Sequence, residues 1–254
     1  MSEVDGSLAL RRHSDYTKSN RKENVMRIKA IPLILIFFAL LALAFGCCHP
    51  PNIASVGVNL IPQQRDWWCW AATTEMISEY YEHTIDQCKS TNYVHGTPPD
   101  CCTGCTGDCP CWGDDWGAYI SDIKSNWTHW GFEYKYVSSE LPWEDDEEDD
   151  VKETISPTRF CKKSPIQVVW WWYPNPGWNG GHVVTAYGYA EVGGQRYISY
   201  FDPLPPDCDK PDPPGNVCNP VVGGDDVVST YAAFVDDGVH QWGDSFYDFN
   251  YVGQ

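Results

Sequence analysis

The stretch Ile61–Thr84, IPQQRDWWCWAATTEMISEYYEHT, decides how this chain is to be read. From Trp70 to Glu82 the side chains Trp70, Ile77, Tyr80 and Tyr81, with the small residues Ala71, Ala72 and Thr73, fit helical spacing, and no Gly or Pro interrupts them. Cys69 therefore falls at or near a helix N-terminus. There the positive end of the helix dipole favours a thiolate, the reactive form of cysteine.

Working outward, residues 84–116 are dense in Cys, Gly and Pro and read as a loop-rich insertion, with its cysteine-rich core at 88–111. Trp116–Trp130 has a helical pattern through Tyr119, Ile120, Ile123 and Trp127. The acidic run Glu144–Asp150, which follows Ser139, Pro142 and Trp143, reads as a solvated loop or a helix start. Beyond it, Ile166–Tyr173 is rich in Val and Trp between two prolines and reads as a buried strand. His182–Ala190 and Arg196–Asp202 make a hairpin through Gly193-Gly194. Helices first and an antiparallel sheet second give an α+β domain over residues 60–254, with 47–59 expected to be a linker.

Thiol-based acyl chemistry needs a thiolate, an imidazole that accepts and returns a proton, a group orienting that imidazole, and a donor for the oxyanion. Cys69 supplies the first. His182 opens a strand after Gly180-Gly181, two residues without side chains that should leave its imidazole accessible to a facing helix. Asp202 ends the returning strand. With the turn near Val192, both arms are ten residues long and Asp202 is expected roughly opposite His182, as the orienting carboxylate. Trp67, Trp68 and Trp170–Trp172 read as core or cleft wall.

Gln63 stands six residues before Cys69, and Gln-x5-Cys-Trp resembles the active site of papain-like cysteine peptidases. The run Gly-Gly-His182-Val-Val-Thr-Ala-Tyr-Gly-Tyr followed by Phe-Asp202-Pro203 is similar to bacterial bacteriocin-leader-processing peptidases and to the cysteine-protease effectors of plant-pathogenic bacteria. The resemblance covers about Leu60–Tyr251. It implies a papain-like fold, a Cys69–His182–Asp202 triad, Gln63 as oxyanion donor with Gln64 as the alternative, and a peptide or protein substrate without a cofactor. Trp70-Ala71 after the nucleophile and the large cysteine-rich insertion set the chain apart from the leader-processing group. Two other readings use the same residues: a transglutaminase-like acyl transferase or deamidase, and an inactive, disulfide-stapled binding module.

Ile31–Phe45, IPLILIFFALLALAF, carries no charge and follows a basic stretch, with seven Lys/Arg against four Asp/Glu in residues 1–30. It is short for a membrane-spanning helix, suits a signal-peptide core, and directs the following domain out of the cytoplasm. Ala44-Phe45-Gly46-Cys47 resembles a bacterial lipoprotein cleavage box, with a bulky Phe45, so Cys47 is the expected lipidation site and an uncleaved anchor over 31–46 the alternative. Met26-Arg27-Ile28-Lys29 is a second candidate start.

Twelve cysteines agree with an oxidising compartment. Cys208 and Cys218 close a short Pro-rich loop and are a candidate pair, while Cys88, Cys101, Cys102, Cys105, Cys109 and Cys111 are candidates for a stapled loop. Cys102-x-x-Cys105 has zinc-ligand spacing but no matching second pair. The net charge of −18 argues against nucleic acid as a partner. Hydrophobic residues at 43% exclude disorder across the whole chain.

Overall fold

The computed structural model describes residues 50–65, 67–96, 102, 117–144, 149–158, 161–172, 180–204 and 224–253. Their elements run β1 (Ile53–Ser55), α1 (Cys69–Tyr80), α2 (Gln87–His95), α3 (Ile120–His129), β2 (Phe132–Val137), α4 (Val151–Ile155), β3 (Ile166–Trp172), β4 (Gly181–Val192), β5 (Gln195–Asp202), β6 (Asp225–Thr230), α5 (Tyr231–Val235) and β7 (His240–Tyr251). This is the α+β class, with a helix beginning at Cys69 packed on an antiparallel sheet.

The strands form one seven-stranded sheet in the order β2-β7-β3-β4-β5-β6, with β1 pairing β4 off that path. β3 covers β4 only from Gly181 to Ala186, and β1 takes up the pairing at Gly188–Ala190. Residues 53–59, expected to be linker, are thus packed into the domain, and Val56 and Val58 are buried in its core. Gly188 permits this crowding, because a Cβ there would lie 3.2 Å from both Ser199 Cβ and Ser55 Cβ.

α1 presents Trp70, Ala71, Ala72, Met76 and Ile77 to the interior, all 1% exposed or less. Burying such side chains is worth about 1.5–3 kcal/mol each for the larger ones. Gln167 of β3 ties the helices to the sheet: its Nε2 donates to Thr73 Oγ1 of α1 (2.8 Å), and its Oε1 accepts from Trp127 Nε1 of α3 (2.8 Å).

The region expected to be loop, 84–116, contains α2. Gly96, in the left-handed conformation at φ 66°, ends it, and Cys88 on it is disulfide-bonded to Cys102. The acidic run contributes a helix start, as Asp150 caps α4 by accepting the Glu153 N–H at 2.6 Å. Asp149 pairs with Lys135 at 2.9 Å and with Lys162.

No helix among the described residues is long and apolar enough to cross a membrane. The apolar stretch 31–46 and Cys47 lie outside the described residues, as do Cys101, Cys105, Cys109, Cys111, Cys208 and Cys218.

Candidate active site

Cys69 is the first residue of α1 and is buried at 8% exposure. No side chain caps this helix start, and no acid stands in its first turn to oppose a negative charge there. The preceding segment is held by Gln87 of α2, whose Oε1 accepts the Gln64 N–H (2.9 Å) and whose Nε2 donates to Pro62 O (3.0 Å) and Glu75 Oε2 (2.9 Å). Trp67, two residues before Cys69, adopts φ 63°, an uncommon conformation for a bulky side chain, and is 47% exposed.

β7, β3, β4 and β5 are each antiparallel to their neighbours in the sheet, so the C-terminal ends of β3 and β5 meet the N-terminal ends of β4 and β7. His182, Asp202, Trp170–Trp172 and His240 therefore share one end of the sheet. His182 Nε2 lies 2.6 Å from Asp202 Oδ1. The two are not directly opposite. The hairpin turns at Gly193-Gly194 with Val192 paired to Gln195, a bulge intervenes between Ala186 and Gly188, and Phe201 faces Thr185. Asp202 is thus level with Val184, and it reaches His182 along the diagonal between neighbouring strands.

Cys69, at the start of α1, is the other side chain that acts on the His182 imidazole. Burial pulls the imidazole pKa down, but the hydrogen bond to Asp202, the hydrogen bond to Cys69 and the negative charge of both partners outweigh it and push the value up to about 10. At neutral pH the structure thus favours an imidazolium between a carboxylate and a sulfur.

His182 is 4% exposed to solvent, and the two glycines before it do different things. Gly180 adopts φ 89°, and a Cβ on Gly181 would meet Trp170 O at 2.3 Å. The first supplies a backbone conformation and the second the close approach of β4 to β3.

Trp68 and Trp170 are buried, at 1% and 3% exposure, while Trp171 and Trp172 are half-buried. The Trp172 ring lies parallel to His182, at 17° and 6.2 Å between centroids. Gln63 is 2% exposed, its Nε2 donates to Arg65 O (3.0 Å), and its Oε1 has no partner among the described residues. Its backbone N–H donates to Pro203 O at 3.0 Å, joining the segment before Cys69 to the residue after Asp202. Gln64 is exposed.

Among the described cysteines Cys69 is the free thiol. Cys161 is disulfide-bonded as well. With Cys102 bonded to Cys88, the Cys102-x-x-Cys105 spacing is not available as a thiolate pair.

His240 was missed by sequence reasoning. It packs on Trp170 at 3.8 Å between ring centroids, and its Nδ1 lies 3.1 Å from Asp237 Oδ2. The turn signal Asp236-Asp237-Gly238 just before a histidine at a strand start was the available clue.

No protein-family profile matches the chain, and no curated protein matches it. Among solved structures it is similar to the peptidase domain of Streptococcus ComA, described as a bi-functional ABC transporter involved in a quorum-sensing pathway. The identity is 14% and the TM-score 0.42, over 75% of this chain and 97% of that one. At that distance the functional reading rests on the geometry of the site itself.

Proposed function

We propose that the chain is a papain-like cysteine peptidase in which Cys69 is the nucleophile, His182 the general acid and base, and Asp202 the orienting carboxylate. The observation that carries this reading is His182, hydrogen-bonded to Asp202 through Nε2 at 2.6 Å and with its pKa raised by both Asp202 and Cys69, the free thiol at a helix start.

The Cys69 thiolate attacks the carbonyl carbon of a peptide bond, and the carbonyl oxygen takes the negative charge. As the C–N bond breaks, the His182 imidazolium gives its proton to the departing amine, leaving a thioester on Cys69. Water then loses a proton to His182 and attacks the thioester, the C–S bond breaks, and the thiolate returns paired with the imidazolium. The uncapped start of α1 offers positive potential at the oxyanion. Gln63 is the preferred side-chain donor, since it is buried in the segment joined to Pro203, whereas Gln64 is exposed. Its amide has to leave the Arg65 carbonyl to serve.

The site is proposed to act outside the cytoplasm on peptides or proteins, held at the membrane through Cys47 lipidation or the apolar stretch 31–46. Product analysis on a peptide library tests the reaction: new termini support hydrolysis, and intact chains with converted glutamines turn the reading to deamidation. Slow alkylation of Cys69 in slightly acid solution, like that of an ordinary thiol, overturns the enzymatic reading and leaves a binding module.

A further inference from the structure

The end of the sheet that carries His182 also carries a second imidazole, His240, built into its place as carefully as the first. Asp237 Oδ1 accepts the backbone N–H groups of Val239 and His240, each at 2.8 Å, which fixes the carboxylate. Its other oxygen then lies 3.1 Å from His240 Nδ1 and favours a proton on that nitrogen. His240 Nε2 is buried and has no hydrogen-bond partner among the described residues, and the side chain is 12% exposed. The ring packs on Trp170 at 3.8 Å and meets Trp172 edge-on at 6.2 Å. Trp170 and Trp172 are also the two tryptophans against His182, each with its ring centroid 6.2 Å away.

We propose that His240 is a positioning residue for the Cys69–His182 pair: its ring backs the two tryptophans that flank His182 and so keeps the imidazole in place beside Asp202. The inference rests on the peptidase reading above.

The charges around His240 agree with a neutral resting state. Burial lowers its pKa, Asp237 opposes that, His182 adds to the lowering, and Asp202 and Asp236 oppose it. Asp237 and Asp236 belong to the turn before β7, His182 to β4 and Asp202 to β5, so the imidazolium of His182 is the cation that His240 faces.

The experiment follows Cys69 alkylation by iodoacetamide against pH in the folded, exported protein, with His240→Phe and His240→Ala beside the wild type. Phe keeps a ring on Trp170 without a proton to gain, whereas Ala removes both. At neutral pH the alkylation rate is expected to drop about tenfold in His240→Ala, with Phe restoring most of it. Rates equal to the wild type in both variants overturn the proposal, as does an equal loss in Phe and Ala. If wild-type Cys69 itself reacts no faster than an ordinary thiol, the peptidase reading fails first and the proposal falls with it; fast wild-type alkylation with unaltered variants sinks the role of His240 alone.

Discussion

Asp202 Oδ1 lies 2.6 Å from His182 Nε2, and the same oxygen accepts the Leu204 backbone N–H at 2.9 Å. One atom thus orients the imidazole and closes the turn that ends β5. An asparagine can offer its amide oxygen to both donors, keeping the hydrogen bonds while losing the charge, and an alanine can offer neither. The expected order of kcat/KM on a peptide substrate is wild type, then Asp202→Asn at about a tenfold loss, then Asp202→Ala at about 10²–10³, with Cys69→Ala inactive. Circular dichroism should be unchanged throughout. Near wild-type activity in Asp202→Ala would mean that another group orients His182.

The raised pKa of His182 gives a pH prediction with a definite sign. Because the folded-state value is above the ordinary 6.5, the stabilisation it reports is complete below pH 6.5 and is lost as pH rises through about 10. The imidazole resonances of His182 should still titrate as imidazolium at pH 8 by NMR. Asp202→Ala and Cys69→Ala should each lower the midpoint, since each removes a hydrogen bond and a charge that raise it. A wild-type midpoint near 6.5 refutes the ion-pair description.

The parts of this fold that were legible have a clear period or a clear boundary. Helix Cys69–Tyr80 follows from the small and apolar residues after Cys69, and β4 and β5 from β-branched and aromatic runs joined at Gly193-Gly194. The elements that escaped notice have weaker signals. α2 carries Lys89, Ser90, Thr91 and Asn92 in place of an apolar stripe and is anchored by Gln87 and by the Cys88–Cys102 disulfide, a long-range bond that local pattern does not encode. β7 mixes Asp, Asn and Gly with its aromatics because two strands pair with it and a bulge interrupts β3 opposite it. The site was half legible: the spacing of His182 and Asp202 was visible, whereas the diagonal geometry depends on the bulge between Ala186 and Gly188, and His240 reaches the site only through the order of the sheet.

Gly181 should be intolerant of even one added methyl. Its Cβ would sit 2.3 Å from Trp170 O and 3.3 Å from Trp171 Cε3, and the first of these is backbone that can yield only by parting β3 from β4. Gly181→Ala is expected to cost about 1–3 kcal/mol in urea unfolding and to reduce kcat more than KM, because the displaced strand end carries His182. A variant with wild-type stability would show that the strands can part there freely.

The buried amide of Gln167 supports the nucleophile helix from beneath, and it sets the last test. It is fully buried on β3, accepts from Trp127 of α3 and donates to Thr73 of α1, with Trp70 O a further acceptor at 3.4 Å. Thr73 keeps its own bond to Trp70 O when the amide is removed, so the group orphaned by Gln167→Leu is the Trp127 indole N–H. An unsatisfied buried donor and the lost bonds together cost about 2–4 kcal/mol, or roughly 5–12 °C in Tm for a domain of this size. Adding Trp127→Phe removes the orphaned donor, and the double variant should therefore be more stable than Gln167→Leu alone, a reversal that ordinary additive damage does not produce. Urea denaturation of the two single variants and the double variant measures this coupling. If the double variant is less stable than Gln167→Leu by the full cost of Trp127→Phe alone, the amide is packing material and not the bridge between helices and sheet.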